Sequence, residues 1–133
     1  MYLHLLTPEQ GRAFYRAAAL LVGSDGRSEG AEIRYLDRAR RSLGLGEPPQ
    51  TPADTGEVLA ELAVFDTALS RRVLLVELSR AAIADDQVAP VEGALIRDIA
   101  GAWGVGEEHL RQCFDLAKRA KKLTDEGYRL IGG

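Results

Sequence analysis

Apolar residues recur along this chain at helical spacing. Phe14, Ala17, Ala18 and Leu21 fall at i, i+3, i+4 and i+7 behind Thr7-Pro8-Glu9. Thr7 suits an N-cap and Pro8 the first helical position, so a helix is predicted over about 8–22. Ile33, Leu36, Ala39 and Leu43 predict a second helix that stops at Gly44. The stretch 44–56 holds three of the five prolines and reads as a linker. Beyond it, Val58, Leu59, Leu62 and Phe65 predict a short helix. Leu74, Leu75, Leu78, Ala81 and Ala82 predict a longer one, from near Ala68 to before Asp85. Val91, Leu95, Ile99, Ala102 and Trp103 form a further amphipathic pattern opened by Pro90. Leu110, Phe114, Ala117 and Leu123 continue it after Gly104-Val105-Gly106. Strand-like alternation is almost absent, and the expected fold class is all-α, a compact bundle of about six to seven helices.

Displacing the chain by sixty positions, without a gap, lays Asp25 on Asp85, Glu32 on Glu92, Gly44 on Gly104 and Arg12 on Arg72. Leu36 then meets Ile96, and Leu45 meets Val105. Each copy reads as helix, short acidic loop, helix and glycine stop. This predicts two related helix-loop-helix repeats packed about an approximate twofold, within one domain over 1–133. Repeat one spans about 8–45, the linker about 44–56, repeat two about 57–105, and C-terminal helices about 106–131.

Composition narrows the function classes. With 133 residues, 46% apolar and 28% charged, the chain can bury a core. A formal charge of −3 argues against a protein that lives on nucleic acid. One cysteine, Cys113, excludes an intrachain disulfide, and with only two histidines no Cys/His zinc site of four ligands can be assembled. No phosphate-binding glycine loop, dinucleotide fingerprint, nucleophile elbow or zincin helix is present. Neither a signal peptide nor a membrane span is expected, and the chain reads as cytoplasmic.

The two acidic loops carry the most distinctive pattern. The first runs Ser24-Asp25-Gly26-Arg27-Ser28 to Glu32, Leu36 and Gly44. The second runs Ala84-Asp85-Asp86-Gln87-Val88 to Glu92, Ile96 and Gly104. A small residue, Asp, Gly or Asp, and Glu seven positions after the first Asp resemble the TerB-like family, named for tellurite resistance and represented also in DjlA-type co-chaperones. The resembling segments run from about Pro8 to Leu123. The resemblance implies an all-α bundle of about seven helices, an acidic surface near the two loops and a divalent-metal site. Ser24, Ser28 and Asp86 depart from the family's usual alanine, apolar residue and glycine. The extra charge of Asp86 makes the second loop the better cation site.

A loop Asp and a Glu from the next helix's first turn can supply hard oxygens to calcium, magnesium or manganese. Asp25 with Glu32, and Asp85 and Asp86 with Glu92, are therefore the candidate metal ligands; Glu29 could join the first set. Neither loop is an EF-hand, since counting from the Asp puts Arg27 or Gln87 at the third position and Leu36 or Ile96 at the twelfth. The architectural alternative gives Glu92, third after Pro90, and Glu32 by repetition, the task of capping their helices, with the aspartates as turn formers.

Other candidates are weaker. His109 and Cys113 share a helix face but find no third partner. Basic residues gather at Arg38, Arg40 and Arg41, at Arg71 and Arg72, and at Lys118, Arg119, Lys121 and Lys122. They become a binding surface only if the fold brings them to one face. Tyr2, Leu3, Leu5, Leu6, Tyr128, Leu130 and Ile131 place apolar residues at both ends, to cap the bundle or to pair with a second copy. The reading is a non-enzymatic interaction or scaffold protein modulated by a divalent cation, its partners being other proteins, membrane-associated ones included, or a second copy as a homodimer, and no nucleic acid. The alternatives are a metal-dependent hydrolase using the same carboxylates and a metal-free helical adaptor.

Overall fold

The structure, a computed structural model, describes residues 2–23, 30–83 and 90–132. Within them the chain is all-helical, without a strand, and forms six α-helices: α1 Pro8–Gly23, α2 Gly30–Ser42, α3 Thr55–Glu61, α4 Ala68–Ala82, α5 Pro90–Ala102 and α6 Glu107–Leu130. Short 3-10 turns at Leu3–Leu5 and Leu62–Val64 complete it. No helix among the described residues is long and apolar enough to cross a membrane.

Local chemistry sets the ends of these helices. Thr7 and Gln10 cap α1 reciprocally: Gln10 N donates to Thr7 Oγ1 at 3.2 Å, and Thr7 N to Gln10 Oε1 at 3.0 Å. Sixty residues on, Thr67 and Ser70 do the same for α4, at 3.0 and 3.2 Å. Asp54 caps α3 by accepting from Glu57 N. At the other end of α2, Gly44 takes φ +70°, and Leu45 N reaches back to Arg40 O at 3.1 Å. Gly104 after α5 has φ +69°, with Val105 N donating to Ala100 O at 2.9 Å. Both are Schellman stops, in which glycine adopts the left-handed conformation at little steric cost. Helices α2 and α5 have thirteen residues each and also begin sixty positions apart.

Helices α1 and α4 pack on each other at the centre, and α2 and α5 each touch both. Helix α4 buries residues around nearly its whole circumference, Val73, Leu74, Leu75, Leu78, Ala81 and Ala82 among them, as a central helix must. Phe14, Leu21, Leu74, Leu75, Leu78, Ile96 and Ile99 form the driest part of the core. Helix α3 covers α1 and α5, while α6 lies along α4.

Several sequence expectations shift. Ile33, predicted to face the core, is 50% exposed, whereas Tyr35 is 7% exposed. The buried stripe of α2 runs through Glu32, Tyr35 and Ala39, so the helix is rotated relative to the simple apolar pattern. Leu59 and Leu123 also lie at the surface. The linker is tied to the bundle: Pro49 and Pro52 are buried. Arg16 of α1 donates to Gln50 O at 2.9 Å and pairs with Glu57 and Glu61 of α3. The C-terminal segment, expected as helices, is the single α6.

Candidate functional site

Two of the five predicted metal ligands lie within the described residues. Glu32 and Glu92 are each the third residue of their helices, and both are wholly buried. At that position a carboxylate faces the positive end of the helix dipole and the amides that the first turn leaves unpaired. The remaining three, Asp25, Asp85 and Asp86, fall outside the described residues, as does Glu29. Among the described residues no group of three or more His, Cys, Asp or Glu could hold a metal ion. The donors in place are hard oxygens, the kind calcium, magnesium and manganese take, but two carboxylates are fewer than such ions require.

A third buried glutamate, Glu77 of α4, was not a sequence candidate. Its carboxylate accepts from the Tyr35 hydroxyl at 2.7 Å, from Arg80 at 3.1 Å and from the backbone amide of Tyr2 at 3.1 Å. The Arg80 guanidinium also sits over the Tyr35 ring, 6.0 Å from its centroid. Burial alone would push the Glu77 carboxyl up; the Tyr35 hydroxyl, Arg80 and the Tyr2 amide outweigh it and hold the group below the ordinary glutamate range. Burial and the neighbouring Glu77 charge raise the Tyr35 phenol well above its usual value. A signal was present in the sequence: Glu77 interrupts the run Val73-Leu74-Leu75-Val76 and Leu78, where a charge needs a partner.

Above this network lies a groove of about 410 Å³ between α2, α4 and α6. Arg34, Tyr35 and Arg38 line it from α2 and Arg80 from α4. Helix α6 contributes Lys121, Thr124, Asp125 and Tyr128. A smaller adjoining hollow, of about 290 Å³, shares Tyr35, Arg38, Arg80 and Thr124 and reaches Glu77 and Leu3. Neither Glu32 nor Glu92 lines either space.

The fold thus divides the basic residues noted in the sequence. Arg40 is consumed locally, donating to Leu45 O, Gly46 O and Asp37, while Arg41 pairs with Asp37. Hydrogen bonding to Arg40, set against a little desolvation and reinforced by Arg41, lowers the Asp37 carboxyl. Arg71 lies 5.4 Å over the Trp103 ring and donates to Phe65 O, closing the opposite side of the bundle. Arg38 and Lys121 line the groove, where Arg34 and Arg80 join them.

His109 and Cys113 form no site in the described residues. Cys113 is buried, which raises its thiol above the ordinary value and leaves little thiolate to react. His109 Nε2 is enclosed and has no hydrogen-bond partner among the described residues.

No family model, curated protein or solved structure matches the chain.

Proposed function

We propose that the chain is a TerB-like, non-enzymatic helical interaction module, built from two related hairpins about an approximate twofold and regulated by a divalent cation at its acidic loops. The observation that carries this reading is the equivalent placement of Glu32 and Glu92. Each is the third residue of a thirteen-residue helix, sixty positions apart, and each is fully buried. Matching caps at Thr7 and Thr67 and matching glycine stops at Gly44 and Gly104 support the hairpin pairing. In this reading Asp25, Asp85 and Asp86 join the two glutamates as oxygen donors, and the cation tightens the loops that connect the helices of each hairpin. The link to tellurite or stress rests on the loop motif alone, since fold does not carry function.

The test is a calorimetric titration of chelator-stripped protein with calcium, magnesium and manganese, in the parent and in a paired Asp85→Ala, Asp86→Ala variant whose helicity is checked by circular dichroism. Heat in the parent that vanishes in the folded variant is the expected outcome. An absence of heat together with an unchanged melting temperature at about millimolar ion would overturn cation regulation and leave the metal-free adaptor.

A further inference from the structure

We propose that the groove between α2, α4 and α6 binds a small molecule through a phosphate or diphosphate group, held chiefly by Arg34 and Arg38. This goes beyond the cation-regulated module and does not depend on it.

Charge balance in the groove comes first. Arg80 is matched by Glu77, at 3.1 Å, and Lys121 by Asp125, at 2.9 Å. Arg34 and Arg38 make no ion pair among the described residues, although both line the same space. They sit four residues apart on α2, so their guanidinium groups share a face and repel each other. Among the described residues this leaves a surplus of two positive charges, which a phosphate monoester or diphosphate would neutralise. Guanidinium forks suit such oxyanions in bidentate geometry.

Helix chemistry does not account for these cations. A basic residue stabilises a helix near its C-terminus, as Arg40 and Arg41 do in the last turn of α2. Arg34 and Arg38 are the fifth and ninth residues of that thirteen-residue helix, outside its last turn, so the dipole gives no reason for either.

The fold itself does not demand them either. Sixty positions away from Arg34, Tyr35 and Arg38 stand Ala94, Leu95 and Asp98. The counterparts of Glu77 and Arg80 are Ala17 and Leu20. The same helical frame is therefore built elsewhere in the chain without the cluster. The ligand's size follows from the space: about 410 Å³ is within the range of small-molecule sites, typically ~300–1,000 Å³. Half-exposed Tyr128 at the α6 side offers a ring face to the remainder of the ligand.

Pyrophosphate titrated into the full chain by calorimetry at low salt is the direct probe, with Arg34→Gln/Arg38→Gln as the test variant. Lys118→Gln/Arg119→Gln is the control: it removes the same charge from residues that do not line the groove. The expected result is saturable binding that weakens about tenfold or more in the groove variant and less than about twofold in the control. Equal losses in the two variants would mean diffuse attraction and overturn the proposal. So would no heat up to about 10 mM pyrophosphate, the limit of a weak ion-pair site. Sedimentation with vesicles of anionic phospholipid separates the sources: capture on vesicles without pyrophosphate binding would assign the face to a membrane surface and likewise overturn a small-molecule site.

Discussion

The two sides of the bundle are finished in opposite ways. On the side of α1, α3 lies over both α1 and α5, and Phe65 packs edge-on to Trp103 at 6.0 Å beneath Arg71. That side is closed by the aromatic pair, with Arg16 tying α1 to α3 through Glu57 and Glu61. On the side of α4, α6 follows α4 and a groove remains between α6 and α2, lined by arginines over the Tyr35–Glu77–Arg80 network. The position sixty residues after Phe65 is Asp125, a groove residue paired with Lys121. One side of the bundle is thus sealed with an aromatic ring and the other left open as a charged cleft, with the α1–α4 pair packed between them.

The largest test of this contrast is Phe65→Ala. It removes a ring that is 1% exposed and should cost about 4 kcal/mol, the usual range for a core aromatic, as read by urea denaturation. Next is Glu77→Ala, which takes the acceptor from Tyr35, Arg80 and the Tyr2 amide at once. A loss of about 3 kcal/mol is expected, because breaking a buried charged network strands its partners. The acid limb follows from the same network. Glu77 has its folded-state pKa depressed, so its contribution is full above the unfolded glutamate value of about 4.3 and is lost as pH falls through the lower folded value. Urea midpoints at neutral pH and at about pH 3 should differ more in the parent than in Tyr35→Phe, which removes the hydroxyl donor.

Where the sides are alike, equal effects are expected. Gly44→Ala and Gly104→Ala should each cost about 1 kcal/mol, since both glycines hold φ near +70° and nothing lies within 4 Å to add a clash. A clear inequality between them would break the correspondence of the two stops. The smallest effect belongs to Asp125→Ala, the counterpart of Phe65→Ala. An exposed ion pair on α6 should change stability by no more than about 0.5 kcal/mol.

Much of the helical frame is legible in the sequence because it is encoded locally. Thr7-Pro8, Pro90 and the glycines at 44 and 104 mark helix ends through backbone chemistry that needs no tertiary partner. The orientation of α2 was not legible. Ile33 is more apolar than Tyr35, yet Tyr35 is buried because its hydroxyl finds Glu77, forty-two positions away. The groove was hidden for the same reason: Arg34, Arg80 and Lys121 are distant in sequence and meet only through α4 packing between α2 and α6. Of the candidate metal ligands, Glu32 and Glu92 could be picked out by their spacing, seven positions after Asp25 and Asp85. Their burial, by contrast, follows from packing that the spacing does not reveal.

Helix α6 makes its last buried contact at Ala117 and then runs on to Leu130, about 20 Å of helix, with Leu123, Leu130 and Ile131 turned to solvent. Backbone amides beyond Ala117 have little core to protect them, so their hydrogen exchange should proceed by local fraying, far faster than that of the α4 amides, which open only with the whole bundle. Since Lys121, Thr124 and Tyr128 all belong to this outer length, the lifetime of the cleft's α6 wall is set by how often that helix end unwinds, and not by the global stability of the protein.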